Sequence, residues 1–176
     1  KGVGPQRGAL LNTELGIFNF GDLLQHYPFR YEDRTRFYSI SELNEQMEAA
    51  QVKGRLRNFE RIGEGPKERL VASFTDGTGV LELVWFQGVS WLEKNLRRDG
   101  EYVIYGKPSQ FGGRFQISHP ELEILSPENE KGGYWQPVYN LTEKLRKKYV
   151  DSRAIGKWQR TLLEQAYPHI RETLPD

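Results

Sequence analysis

Between residues 51 and 125 the sequence alternates, with short runs rich in Val, Leu, Ile and aromatic residues that repeat with a period of two. Glycine-containing turns cut the runs at Gly63-Glu64-Gly65-Pro66, Asp76-Gly77-Thr78-Gly79 and Gly112-Gly113. A period of two sends successive side chains to opposite faces, which is the pattern of strands with one buried face. It predicts strands near 51–62, 68–76, 80–87, 101–111 and 113–125. Trp91 to Leu96 breaks the alternation and predicts a short helix, stopped by Asp99-Gly100.

Three strands, a helix and two further strands is the order of the five-stranded OB barrel. The expected fold is therefore mainly β, a five-stranded OB-fold Greek-key barrel with short helical extensions at its N- and C-terminal ends. Before the barrel, Leu10, Leu11, Leu15, Ile17, Phe18, Leu23 and Leu24 cluster at helical spacings interrupted by Gly16 and Gly21, predicting two short helices. Pro28 to Arg34 has no clear period and reads as a connection, and Ile40 to Leu43 as a short turn. After Pro127, Glu128 to Gly133 reads as a polar loop. Asp151 or Ser152 then caps a helix running to about Ala166, with Ile155, Trp158, Leu162, Leu163 and Ala166 on one face. The chain thus divides into a helical lead-in (1–50), the barrel (51–126), and a linker with a C-terminal helix (127–176).

At 176 residues, with 37% hydrophobic and 28% charged residues, the chain has the composition of a folded protein. The absence of cysteine excludes disulfides and thiolate metal sites, and His26, His119 and His169 lie too far apart for a local metal motif. No run reaches the roughly 20 apolar residues of a membrane span, so a soluble, cytoplasmic monomer is expected. Lys1 in place of Met and the closing Leu174-Pro175-Asp176 lead us to expect a piece of a longer polypeptide. There is no G-x-x-x-x-G-K-[ST] loop, no H-E-x-x-H and no G-x-S-x-G. Glu32 and Asp33 are neighbours on an irregular segment with no partner base, so no enzyme chemistry is expected of the chain itself.

The net charge of +1 does not announce a nucleic-acid binder, so that reading must rest on where the charges lie. Strict alternation on the first predicted strand puts Lys53, Arg55, Arg57, Phe59 and Arg61 on one face, with Val52, Gly54 and Leu56 on the other. Cations spaced along phosphates plus a flat ring for a base suit a groove that tracks a nucleic-acid backbone, each stacked base being worth about 1–3 kcal/mol. A solvated polar face is the simpler reading. On the third strand Leu81, Leu83 and Trp85 share one parity, leaving Phe86 as the outward aromatic, with Trp91 beside it at the barrel mouth. Alternatively both rings plug the barrel end. Gly2-Val3-Gly4-Pro5-Gln6-Arg7 resembles the phosphate-accepting loop of helix-hairpin-helix proteins through Gly2, Gly4 and Arg7, and equally a structural turn. Lys144, Arg146, Lys147 and Lys148, followed by Arg153, Lys157 and Arg160, form a second basic cluster, either a solvated helix face or a surface lying on DNA.

Several stretches together resemble the wedge region of the RecG family of branched-DNA helicases. They are G-V-G-P at the start, D-L-L-Q-H-Y-P-F-R-Y-E-D-R-T at 22–35 and D-G-T-G-V-L-E-L-V-W-F at 76–86, with G-K-P-S-Q-F-G-G-R-F-Q-I-S-H-P-E at 106–121 and P-V-Y-N-L-T-E at 137–143. The resemblance implies an OB wedge that splits the arms of a stalled fork or Holliday junction while separate helicase domains, with ATP and Mg, pull duplex. No cofactor is implied for this chain. Partners would be branched DNA, its single-stranded arms and the protein's own C-terminal helicase domains. Family aromatics that stack at the branch point map to Phe86 and Trp91, the loop between them being about two residues longer than F-N-Q-P-[YW], with Gln87 where Asn is common. Lys107 and Arg114, within the fourth stretch, join Lys53, Arg55, Arg57, Phe59 and Arg61 as strand-binding candidates. Two other readings stay open: an RNA-binding OB domain such as a tRNA anticodon-binding module, and an OB domain for interdomain or protein contacts with Phe86 and Trp91 as anchors.

Overall fold

The computed structural model describes residues 2–127, 129–130, 132–148 and 150–169. Lys1, Glu128, Lys131, Tyr149 and the 170–176 end of the expected C-terminal segment lie outside the described residues. The chain forms two compact units, one from residues 1–33 with 135–176 and the other from 34–134. The expected lead-in and tail therefore contribute to one discontinuous unit.

In the continuous unit the strands are β2 (Ala50–Ile62), β3 (Arg69–Thr75), β4 (Val80–Trp85), β5 (Glu101–Gly106), β6 (Pro108–Phe111), β7 (Arg114–Ser118) and β8 (Glu121–Ile124). They follow β1 (Arg30–Arg34) in the chain, which pairs with β9 (Tyr134–Val138) in a separate two-stranded sheet. The seven-stranded sheet runs β6-β7-β4-β3-β2-β5-β8. β2, β3 and β4 are an antiparallel meander, β5 returns antiparallel to β2, and β7 lies parallel to β4. With α3 (Val89–Asn95) between β4 and β5, this is the OB order.

Two predicted strands are each split in the structure. Proline supplies no ladder N–H, and Lys107-Pro108 ends one run while His119-Pro120 ends the other. Gly106 sits at the first break because a Cβ there would lie 2.4 Å from Ile117 Cγ2. The hydrogen-bonded sheet stays open. Its seam is crossed by the chain itself, since β7 pairs with β4 and β8 with β5 on either side of His119-Pro120. Inside lie Val52, Leu56, Leu70, Phe74, Leu81, Leu83, Ile104 and Ile117, all fully buried.

Two polar clusters fasten the wall. The Asp76 carboxylate accepts from the amides of Ile40 (2.8 Å), Thr78 (2.8 Å) and Gly79 (3.3 Å) and from the Thr78 hydroxyl. Burial opposes its charge, but these hydrogen bonds outweigh it and hold the carboxyl below its ordinary range. Arg34, 3% exposed, donates from Nη1 to Glu121 Oε2 at 2.7 Å and lies over the Tyr105 ring at 3.8 Å. The last arginine of R-Y-E-D-R and the glutamate of H-P-E thus form one structural pair.

The discontinuous unit contains α1 (Pro5–Leu15), α2 (Phe20–Gln25), α4 (Glu143–Lys147) and α5 (Ser152–Ala166). Gly16, left-handed at φ 67°, ends α1; Asn19 and Asp22 form a capping box on α2; Asp151 caps α5. Leu11, Ile17, Leu23, Tyr139, Leu145, Val150, Ile155 and Trp158 make its core. Leu163, expected on the buried face of α5, is 49% exposed. Gln159 Nε2 donates to the carbonyls of Leu23 and His26, both at 2.7 Å, while Gln159 Oε1 accepts from the Tyr139 hydroxyl.

Asp76→Ala leaves three amides short of their acceptor and is expected to cost about 1–3 kcal/mol at neutral pH. Because the folded-state pKa is depressed, this contribution is present above the unfolded value and is lost as pH falls through the folded one. The gap between thermal melts of the two proteins should therefore begin to narrow only below about pH 4 and go on narrowing as the pH falls further, and a gap that did not narrow on acidification would refute the assignment.

Candidate nucleic-acid interface

The first barrel strand does not present one uninterrupted cationic face. β2 pairs with β5 up to Arg55 and with β3 from Arg55 onward, and the β3 register slips between Leu56 and Asn58. A β-bulge at Arg57 adds one residue and inverts the parity that follows. Phe59 now lies opposite buried Ala72 and packs against the core, with the Arg98 guanidinium 5.4 Å from its ring. Arg61 lies on that same side, opposite Leu70. Phe59 and Arg61 are therefore separated from Lys53 and Arg55, contrary to the alternation read from the sequence. The signal was present: Leu56 and Phe59 are three apart, a spacing that an unbroken strand cannot bury on one face.

Lys53, Arg55 and Arg57 line an open groove of about 410 Å³ together with Thr75, Asp76 and Glu101. Its charge is nearly balanced. Arg55 pairs with Glu101 at 3.0 Å, Arg57 approaches Asp99 at 3.8 Å, and Lys53 lies 5.4 Å from the centre of the Phe37 ring. These pairs are exposed, so a phosphate can displace their carboxylates at small cost. Arg61 is held elsewhere. Its guanidinium pairs with Glu68 and Glu93, both at 2.6 Å, and donates to Ser90 Oγ at 3.2 Å, fastening β2 to α3. Hydrogen bonding to Glu93, then the charges of both glutamates, drives it further above its ordinary pKa despite some desolvation. Arg114 pairs with Glu82 at 3.3 Å near the tip of the β6–β7 hairpin, and Lys107 is exposed with no side-chain partner among the described residues.

Phe86 faces outward as the parity argument expects, and Trp91 is exposed as well. Trp85 is 4% exposed and ends β4, whereas Phe86, the next residue, is 55% exposed and Trp91 on the first turn of α3 is 66% exposed. Neither ring plugs the barrel. Between them Gly88 is left-handed at φ 68° and caps α3. The Phe86 amide donates to His119 Nε2 at 3.3 Å, and the two rings lie 5.6 Å apart. His119 escaped the sequence reading as a site residue, although it stands in the quoted H-P-E. Phe111, 73% exposed at the hairpin tip, was also missed.

In the helical unit, Gly2 adopts φ 109° and packs against Trp158, where a Cβ would stand 3.0 Å from Nε1. Gly4 caps α1, and Arg7 Nη1 donates to the Gly2 carbonyl at 3.1 Å with its guanidinium 6.0 Å from the Trp158 ring centre. The Gly2-Gly4-Arg7 loop is thus tied into its own unit. In the second basic cluster Lys144 pairs with Glu14 at 3.0 Å and Arg153 with Asp151 at 3.4 Å, while Arg146, Lys147, Lys148, Lys157 and Arg160 are exposed. Among the described residues no group of three His, Asp or Glu could hold a metal, and no helix is long and apolar enough to cross a membrane.

Arg61→Ala is expected to lower stability in low salt and to lower it less in high salt. Phe86→Ala and Trp91→Ala, at exposed positions, should each stay within about 0.5 kcal/mol of the parent. Denaturant titrations at two ionic strengths check both statements.

Residues 1–157 match the RecG wedge domain family. The ATP-dependent DNA helicase RecG of Aquifex aeolicus is 30% identical over 167 residues, covering 92% of this chain and 21% of that protein. RecG of Escherichia coli (strain K12) is 31% identical over 143 residues, covering 77% of this chain and 20% of that protein. A solved structure of RecG bound to a three-way DNA junction superposes over 100% of this chain and 23% of its own, with a TM-score of 0.71 and 26% identity. The chain spans about a fifth of the length of the curated relatives it matches. On this match and the architecture above, the chain belongs to the RecG wedge domain family.

Proposed function

We propose that this chain is the branched-DNA-binding wedge of a RecG-like ATP-dependent DNA helicase that remodels stalled replication forks and Holliday junctions in repair and recombination. The observation that carries the reading is the exposed Phe86, anchored at the end of a core strand, with exposed Trp91 close behind it in sequence. An aromatic ring at a branch point replaces the stacking a base loses when its pair opens, worth about 1–3 kcal/mol per base. The groove bearing Lys53, Arg55 and Arg57 then holds a separated strand by its phosphates. Lys107 and Arg114 add charge at the β6–β7 hairpin, and Phe59 and Arg61 support the barrel and α3 instead of contacting DNA.

Strand separation of this kind needs no catalytic group from the wedge. ATP and Mg belong to helicase domains outside this chain, with which the wedge works in the cytoplasm as part of one monomeric protein. The match to a RecG protein solved on a three-way junction supports DNA over tRNA as the ligand.

A gel-shift series with fork, Holliday junction, single strand and duplex tests the proposal. The chain is expected to prefer branched DNA, to show no ATPase activity, and to lose its fork preference in Phe86→Ala. With about three phosphate contacts, affinity should fall roughly 10- to 50-fold between 50 and 200 mM salt. Equal affinity for fork and plain duplex would overturn it.

A further inference from the structure

We infer that His119 is a positioning residue for the Phe86 ring; this rests on the wedge reading above and assigns a task within it to a second side chain. The argument begins with the ladder. β4 and β7 pair in parallel register through Glu82↔Gln116, Leu83↔Ile117 and Val84↔Ser118, and the His119 amide extends the ladder by donating to the Val84 carbonyl at 2.7 Å. In a regular parallel ladder the next bond runs from the Phe86 amide to the His119 carbonyl. Here it runs to His119 Nε2. The imidazole takes the place of a backbone acceptor at the last rung.

Two features make that substitution possible. His119 is one of two described non-glycine residues with a left-handed backbone, at φ 49°, which brings its side chain back across the end of β4. Pro120 follows, buried, and Glu121 opens β8 paired with β5, so the strand leaves β4 and the ladder ends at this point. An Nε2 that accepts leaves the ring proton on Nδ1. The imidazole also lies 5.6 Å from the Phe86 ring, tilted by 48°, and so limits where that ring can swing. Phe86 is thus fixed at its amide and flanked at its ring by one residue, while the rest of the ring stays exposed. A ring ordered before DNA arrives loses less conformational freedom when a base stacks on it.

The test uses the full chain and a three-way fork with 2-aminopurine at the branch nucleotide, alongside a plain duplex and a single strand. His119→Gly removes the imidazole without straining the backbone, since glycine adopts positive φ freely. It should lower fork affinity about fivefold and reduce the change in 2-aminopurine emission on binding, with duplex and single-strand affinity unchanged. His119→Gln, whose amide oxygen can accept from the Phe86 N–H, should recover most of both. Hydrogen exchange at the Phe86 amide should quicken in His119→Gly and slow again in His119→Gln. Phe86→Ala serves as the reference and should lose about tenfold in fork affinity. If Phe86→Ala is impaired but His119→Gly binds the fork with parental affinity and emission change, the positioning role is overturned alone. If Phe86→Ala itself binds forks normally, the wedge reading falls and takes this inference with it. If His119→Gly lowers affinity for every DNA equally, or melts well below the parent, and Gln restores nothing, the residue is structural and the inference is overturned.

Discussion

The barrel depends on β7 lying parallel to β4. Parallel neighbours cannot be joined by a tight hairpin and need a long crossover, and here α3, β5 and β6 fill it. That single pairing decides where the exposed rings go. α3 must leave the end of β4 at once, so Phe86 and Trp91 fall on either side of one left-handed glycine at the start of the crossover. It also requires β7 to finish where β4 finishes, which puts His119 within reach of the Phe86 amide. Pairing, crossover and aromatic placement form one chain of causes.

Much of this was legible in the sequence because it is local. Period-two runs gave the strands, Trp91 to Leu96 the short helix, Asp151 the cap of the C-terminal helix, and the parity of Leu81, Leu83 and Trp85 left Phe86 outside. Harder to read were features in which one residue changes the meaning of its neighbours. The bulge at Arg57 moved Phe59 and Arg61 to the other side of β2, although both flanking stretches read as regular strand. Pro108 and Pro120 divided two expected strands, a consequence the residue types announced and the alternation concealed. β1 with β9, and Gln159 with Leu23 and His26, join residues more than a hundred positions apart, and no periodicity encodes partners at that distance.

The candidate site shows the same division. Exposure of Phe86 followed from strand parity, but the charge balance of the groove did not. Arg55, Arg57 and Lys53 read as a cationic stripe on paper, yet Glu101 and Asp99 come from another part of the sheet to meet them. Arg61 is the sharper case, since two glutamates and a serine meet it and tie it to the helix that carries Trp91.

The Gly133 amide donates to the Arg34 carbonyl at 3.1 Å, so the barrel-containing unit begins and ends side by side. Such a unit behaves as an insertion within the helical one. During synthesis its strands can close on themselves as soon as residue 134 has emerged. Leu11, Ile17 and Leu23, made before the barrel, must wait for Leu145, Ile155 and Trp158 before their own core exists. The helical residues made before the barrel therefore gain a stable environment only after it, and the folded insertion shortens the distance their late partners must search.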